Sequence, residues 1–547
     1  MLSQFPENKI HQVRWLLTIG WLILIFSLFY DPISYVLTDP NNSISPFSLS
    51  HKFVTPEGCI KVQQECLVER PYPIGARIWW TMIVPSSIII IFVLGHEFWR
   101  RICPLSFIAQ IPKALGIQRK IKIGNPRTRK ISYKTVAIKE NSWLGKNHLY
   151  VQFGLFVLGL FTRIIFIDAN RTLLGIFLIF TILSALTIGY LYTGKTWCSY
   201  FCPMAPVQMV YTGPRGIFGT KAHQEPKPKI TQSMCRTVND RGQEVSACDG
   251  CKSFCLDIDA ERSYWRELKK PGRRLVQYGY LGMVFAYYFY YFFYAGNWNY
   301  YLSGVWTHEE DQLKKIFAPG FYIFEQPIPI PKFLAVILTF GFCIGISYLL
   351  CFGLEKIYRA YRKNSNKPIS KEQAQHTIFT VATFTAFWIF FPIGAVPTIS
   401  LLPKLGFIGF NAFMVSVSSI WFYRTLKRSH EQYNRERLTD SLRKPLAKMN
   451  LDFSQFFQGR SLDKLNPDKL YVLAKILLGV TQQERKRFYA SVIREELRSN
   501  RVEAVDSTKV FKPLRQELDL SEEEHYEILN RFLTEGKPDE SLAKVHW

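Results

Sequence analysis

Trp197-Cys198-Ser199-Tyr200-Phe201-Cys202-Pro203 opens a loop that closes with Cys235 and then Cys248-Asp249-Gly250-Cys251-Lys252-Ser253-Phe254-Cys255. The loop runs from Trp197 to Trp265 and lies between two hydrophobic stretches, and it holds six of the eleven cysteines. Thiolates at C-x2-C and C-x3-C spacing on a Gly-containing turn converge on one volume and can wrap one inorganic cluster. Cys235, Cys248, Cys251 and Cys255 supply the four soft donors that a [4Fe–4S] cubane needs. Arg236, Arg241, Lys252 and Arg262 stand nearby and offset the charge of thiolates and cluster. Zinc is the competing metal, because four-cysteine zinc sites also use C-x2-C pairs. The additional C-x3-C-Pro at Cys198–Pro203 favours iron–sulfur.

Outward from this loop, apolar runs of about twenty residues recur along the first four-fifths of the chain. The spans read as 13–30, 77–97, 149–167, 172–194, 275–295, 332–354, 377–396 and 402–423. With 48% hydrophobic and 15% aromatic residues in 547, this composition excludes an ordinary soluble protein. The net charge of +25 would suit a nucleic-acid binder, but it is concentrated in segments beside the spans, so nucleic acid is not expected as a partner.

Lysine and arginine counts alternate at every crossing. Segment 98–148 carries twelve and 195–274 fourteen, whereas 31–76 carries only Lys52, Lys61 and Arg70, and 296–331 only Lys314 and Lys315. The positive-inside rule then puts both termini and the cysteine loop on the cytoplasmic side of a cell (inner) membrane. The first span, which lacks a small-residue cleavage site, reads as a retained helix. Cys59 and Cys66 fall outside, where a disulfide or two free thiols are the alternatives.

The expected fold is all-α: a polytopic membrane protein of about eight transmembrane helices with a small helical cytoplasmic tail. Residues 1–76 comprise the first helix and an outer loop. Residues 77–274 hold helices two to four and the cytoplasmic iron–sulfur loop (195–265), 275–424 the last four helices, and 430–547 the tail. In the tail, Asn466-Pro467, Thr481-x-x-Glu484 and Ser521-x-x-Glu524 read as helix starts. The basic stretch Gln118–Lys139 reads as a solvated tether near anionic lipid, or a dock for an acidic electron carrier. His308-Glu309-Glu310-Asp311 reads as a solvated turn rather than a metal site, and the tyrosines of 278–301 as helix packing.

Span two ends in His96-Glu97-Phe98-Trp99-Arg100-Arg101-Ile102-Cys103-Pro104, which repeats the Cys198–Pro203 pattern with Trp99 in place of the first cysteine. Cys103 reads either as a lone membrane-surface thiol or as a ligand; in the second case Cys103, Cys198 and Cys202 give three of the four ligands for a second cluster, with Cys351, His96 or an external group as the fourth. Alternatively, Cys198 and Cys202 complete a shared site with the downstream four. Haem is a weaker candidate, since only His96 and His376 lie in or beside spans and no C-x2-C-H is present. Neither an acid–base pair nor a nucleophilic triad stands out, so a redox protein is expected before a substrate-transforming enzyme.

Tandem Cys-Pro ends of membrane spans followed by a ferredoxin-like cysteine loop resemble the membrane-bound polyferredoxin family. That family includes the quinol-linked membrane subunit of periplasmic nitrate reductase, the nitrous-oxide-reductase regulator and the cytochrome-oxidase assembly ferredoxin. The resemblance covers about residues 75–270 and is closest at Cys198–Pro203. It implies [4Fe–4S] electron transfer at the cytoplasmic face, with membrane lipid and a redox protein as partners (a ferredoxin, a quinol-linked protein or a terminal reductase or oxidase). Against the family pattern, the first motif keeps only Cys103-Pro104, Leu256 follows Cys255 where proline is usual, and no eight-cysteine domain follows the last span. An assembly or regulatory factor for a metalloenzyme, and a membrane scaffold with structural zinc, are the alternatives.

Overall fold

The structure, a computed structural model, describes residues 6–39, 42, 45, 59–63, 65–68, 70–124, 131–224, 230–231, 233–252, 254–309, 311–438, 482–498 and 507–535. It is mostly helical and divides into two units, Met1–Thr220 with Lys229–Lys427, and Lys221–Pro228 with Arg428–Trp547. The division after Lys427 falls beside the expected tail start at 430. Residues 221–228, however, leave the cysteine loop for the second unit.

Among the described residues eight long helices build the first unit: α1 (Glu7–Ser27), α2 (Gly75–Leu94), α3 (Trp143–Ile167), α4 (Arg171–Leu191), α5 (Gly272–Ala295), α6 (Lys332–Asn364), α7 (Lys371–Ile399) and α8 (Lys404–Leu426). Their starts follow local chemistry. Ser142 accepts a bond from the Gly145 N–H at 3.1 Å, Asn170 from Leu173 at 3.0 Å and Ser370 from Gln373 at 3.0 Å, each satisfying an orphan donor. Among the described residues, all of these except α5 are long and apolar enough to cross a membrane. Leu16, Phe26, Phe180, Leu183, Phe342 and Leu349 are exposed on their outer faces, the reverse of a water-soluble bundle.

At 24 residues α5 is long enough, but seven tyrosines with Arg273, Arg274 and Gln277 make it too polar to qualify by composition. It is the central helix. All seven tyrosines are buried, and Gly282 lies so close to α6 that a Cβ there would meet the Cys343 carbonyl oxygen at 2.3 Å. Small residues at such crossings let backbones approach. Glu355 of α6 takes a forked pair of bonds from Arg274 at 3.0 and 2.9 Å and one from Tyr278 at 3.1 Å.

The chain is mostly helical, as expected, and four short two-stranded antiparallel hairpins occur besides among the described residues. One, Lys120–Gly124 with Ile131–Thr135, lies within the basic stretch 118–139. Another, Cys59–Val62 with Glu65–Val68, carries the Cys59–Cys66 disulfide, so the bonded alternative holds. The turn at 308–311 is not solvated throughout. His308 stacks on Tyr72 with centroids 3.8 Å apart, and buried Glu309 binds Tyr294, Tyr300 and Lys315.

In the second unit α9 (Gln482–Arg498), α10 (Ser507–Glu517) and α11 (Glu522–Glu535) bury Tyr489, Val492, Ile493, Phe511, Leu514 and Leu518. The Ser521–Glu524 capping box closes reciprocally, Glu524 N–H to Ser521 Oγ at 3.2 Å and Ser521 N–H to Glu524 Oε2 at 2.8 Å. Asn466-Pro467 and the Thr481 cap lie outside the described residues. Within the same unit His223 joins the buried Arg428–Glu436 pair, 2.7 Å from Glu436.

Candidate cysteine site

Both Cys-Pro segments fold alike. Cys103 ends the helix His96–Ile102 with φ −57° and ψ 122°, and Cys202 ends the turn Trp197–Phe201 with φ −55° and ψ 119°. The following proline cannot donate, so it suits a first helical position. Each sulfur then takes the place of a capping oxygen, accepting backbone N–H bonds from the residues two and three further on: Leu105 and Ser106 for Cys103, Met204 and Ala205 for Cys202. Cys248 and Cys255 accept similarly from Gly250 and Asp257, both at 3.4 Å. The two copies differ one turn earlier. Cys103 N–H reaches the Trp99 carbonyl, an ordinary α turn, while Cys202 N–H reaches back five residues to Trp197 at 2.8 Å. That widened π turn occurs where Cys198 is present and not where Trp99 replaces it.

The packing of α4 seats the loop. Gly189 lies against the Ala109 carbonyl, and Gly194, at φ +62°, lies against Cys251, whose Cβ would be 2.5 Å from any Cβ placed there. Gln110 Nε2 donates to the Gly194 carbonyl at 2.9 Å, and Lys113 reaches Asp249 at 2.5 Å to pin the tip of the Cys248–Cys251 turn. Cys198 and Cys202 pack with Leu105, Ala109 and Trp197.

Two groups of thiols result. Cys103, Cys198 and Cys202 lie within electrostatic reach of one another, and Cys251 lies within reach of both Cys235 and Cys255. Between them stand three buried charges that the sequence reading did not single out, Lys195, Arg100 and Asp257. Arg100 Nη1 is 3.5 Å from Asp257 Oδ1, and Lys195 Nζ donates to the Arg100 carbonyl and Ser106 Oγ, both at 3.1 Å. Lys195 feels the charge of Cys198 and Cys235, one from each group, and Arg100 that of Cys198, Cys251 and Cys255. The signal of Lys195 and Arg100 in the sequence was position alone, each a basic residue three positions before a cysteine at a span end.

Cys248 is exposed and its sulfur takes only the Gly250 bond described above. Cys351 bonds to Ser347 on α6 and is not brought to the loop. His96 is buried with neither ring nitrogen hydrogen-bonded, beside Arg100, Glu267, Arg273 and Lys252. His376 is satisfied by Tyr264 and the Thr425 carbonyl.

Burial pushes the Cys103 thiol up to about 11 and Cys235 up to about 12, and raises Cys202 further. Cys251 goes the other way, to about 6, because Cys255 donates to it and the Lys195 N–H adds a second bond against the cost of burial. Among the described residues no three His, Cys, Asp or Glu side chains stand close enough to hold a metal ion. A single tetrahedral zinc needs sulfurs only about 3.8 Å apart, given Zn–S bonds of about 2.3 Å. A cubane binds each thiolate to a different iron, so its ligands stand further apart.

No protein-family model matches the chain, and no match is found among characterised proteins or solved structures.

Proposed function

We propose that this chain is a membrane-anchored iron–sulfur protein that moves electrons to a partner at the cytoplasmic face, of the membrane-bound polyferredoxin type. The observation that carries the reading is that Cys198, Cys235, Cys251 and Cys255 lie within electrostatic reach of buried Lys195 or Arg100, with Cys103 and Cys202 in turn within reach of Cys198. Buried cations call for anionic partners: Asp257 pairs with Arg100, and Lys195 lies within reach of Cys198 and Cys235. Thiolates and a cluster complete the balance.

A bound [4Fe–4S] cluster would supply reversible one-electron transfer. Cys235, Cys251 and Cys255, with Cys248 as the fourth donor of the same turn, would hold the first; Cys103, Cys198 and Cys202 would hold three corners of a second. The N–H bonds to Cys103, Cys202, Cys248, Cys251 and Cys255 withdraw charge from sulfur and favour the reduced state, and Lys195 and Arg100 act in the same direction. If α5 crosses among the seven apolar helices, both termini and this site would lie on the cytoplasmic side of the inner membrane and the Cys59–Cys66 disulfide outside.

Anaerobic purification tests the proposal. Iron in clear excess over zinc with broad visible absorption is expected, and Cys251→Ser should lose most of that absorption. A colourless preparation with stoichiometric zinc would replace this reading with a structural zinc site.

A further inference from the structure

Beside the cysteine loop lies a cavity of about 490 Å3 that the iron–sulfur reading leaves unused. Its wall is built where two long helices begin. Asn141, Gly145 and Lys146 come from the capped start of α3, and Lys270 and Pro271 lead into α5. The two starts are held together by Gly272, where a Cβ would come within 2.9 Å of Leu149. Helix starts carry partial positive charge, and here two of them border one mouth.

The side chains add to that field. Lys146, Lys252, Arg266 and Lys270 line the cavity against only Glu140 and Glu267. Both carboxylates are already committed: Glu267 to Lys252 at 2.8 Å and Arg273 at 3.7 Å, and Glu140 to Arg266 at 3.9 Å. Lys146 and Lys270 make no ion pair among the described residues. Burial holds the Lys270 ammonium below its ordinary value despite Glu267, and Lys252 and Arg266 crowd it further. Tyr200 and Phe254 give the cavity an aromatic side. Its volume falls in the range of about 300–1,000 Å3 typical of small-molecule sites.

We propose that this cavity binds a phosphate-bearing anion, the headgroup of an anionic phospholipid or a free phosphate ester, with Lys146 and Lys270 as its counter-charges. The lipid source rests on the membrane reading above, since the starts of α3 and α5 then lie at the inner headgroup layer. Because Tyr200 belongs to the Cys198–Cys202 segment and Lys252 follows Cys251, the anion would sit next to the redox site without touching it.

The test uses the full-length protein in detergent and its Lys146→Gln/Lys270→Gln variant, with circular dichroism confirming that the helices are retained. Native mass spectrometry reads binding of phosphatidylglycerol against phosphatidylcholine, and calorimetry reads inorganic phosphate and flavin mononucleotide. The expected result is binding of at least one anionic probe by the wild type and a loss of about tenfold or more in the variant. Phosphatidylglycerol alone would identify the source as lipid, and phosphate or flavin mononucleotide as a free ester. No anionic probe binding to the wild type, or equal binding by the variant, would overturn the proposal. Mass and heat are read here rather than colour, so a failure leaves the iron–sulfur reading standing, and a metal-free preparation leaves this inference standing.

Discussion

Single residues carry much of the site's geometry. Gly194 combines a left-handed backbone with contact against Cys251, so a methyl group there is disfavoured twice. Gly194→Ala should cost about 1–3 kcal/mol and lower the iron content, read by thermal unfolding and metal analysis of the same sample. Unchanged stability and iron would show that the loop seats without this contact. Glu267 is the second such residue. Burial alone would raise its carboxyl, but Lys252 and the neighbouring cations hold it well below its ordinary 4.5. A depressed carboxyl stabilises the fold above that ordinary value, and the contribution drains away as pH falls further. Melting temperature should therefore drop between about pH 5.5 and about pH 3.5, and much less steeply in Glu267→Gln. That variant should already be about 3–5 kcal/mol less stable at neutral pH, since it leaves Lys252 and Arg273 buried with less counter-charge. Parallel pH curves for the two proteins would contradict the assignment.

At the scale of elements, the two Cys-Pro turns share one backbone geometry, which supports reading them as copies of one unit. The motif itself was legible because a cysteine before a proline dictates a local turn. The charges that gather around it were not, because Arg100, Lys195 and Asp257 meet only through packing of segments far apart in sequence. Long helices were legible from hydropathy, but the capping residues Ser142 and Ser370 lie seven positions before the apolar runs read from 149 and 377, where polar first turns hide the helix starts. The hairpin at 120–135 was missed although Lys120-Ile121-Lys122-Ile123 alternates with a strand's period of two and Gly124-Asn125-Pro126 marks a turn. Its basic charge drew attention away from the alternation. In the tail, the capping box makes a clean element-scale prediction. Ser521→Ala should destabilise α11 by about 1 kcal/mol, read from the helical circular dichroism on heating, and an unchanged transition would show that the box contributes nothing.

On the scale of the whole molecule, the account requires that the disulfide hairpin and the cysteine loop face opposite sides of a membrane. Gly242 lies in an exposed turn with open space around it, and is a suitable point for an inserted protease site. Cleavage is expected in inverted vesicles and not in right-side-out ones; the opposite pattern would reverse the topology. The central claim remains that thiols from three segments meet around Lys195 and Arg100 to hold iron. Low-temperature electron paramagnetic resonance of the anaerobically purified, dithionite-reduced protein tests it most directly. The account predicts the signal of a reduced [4Fe–4S] cluster, lost or strongly diminished in Cys235→Ser, whereas a silent, iron-free wild type would contradict it.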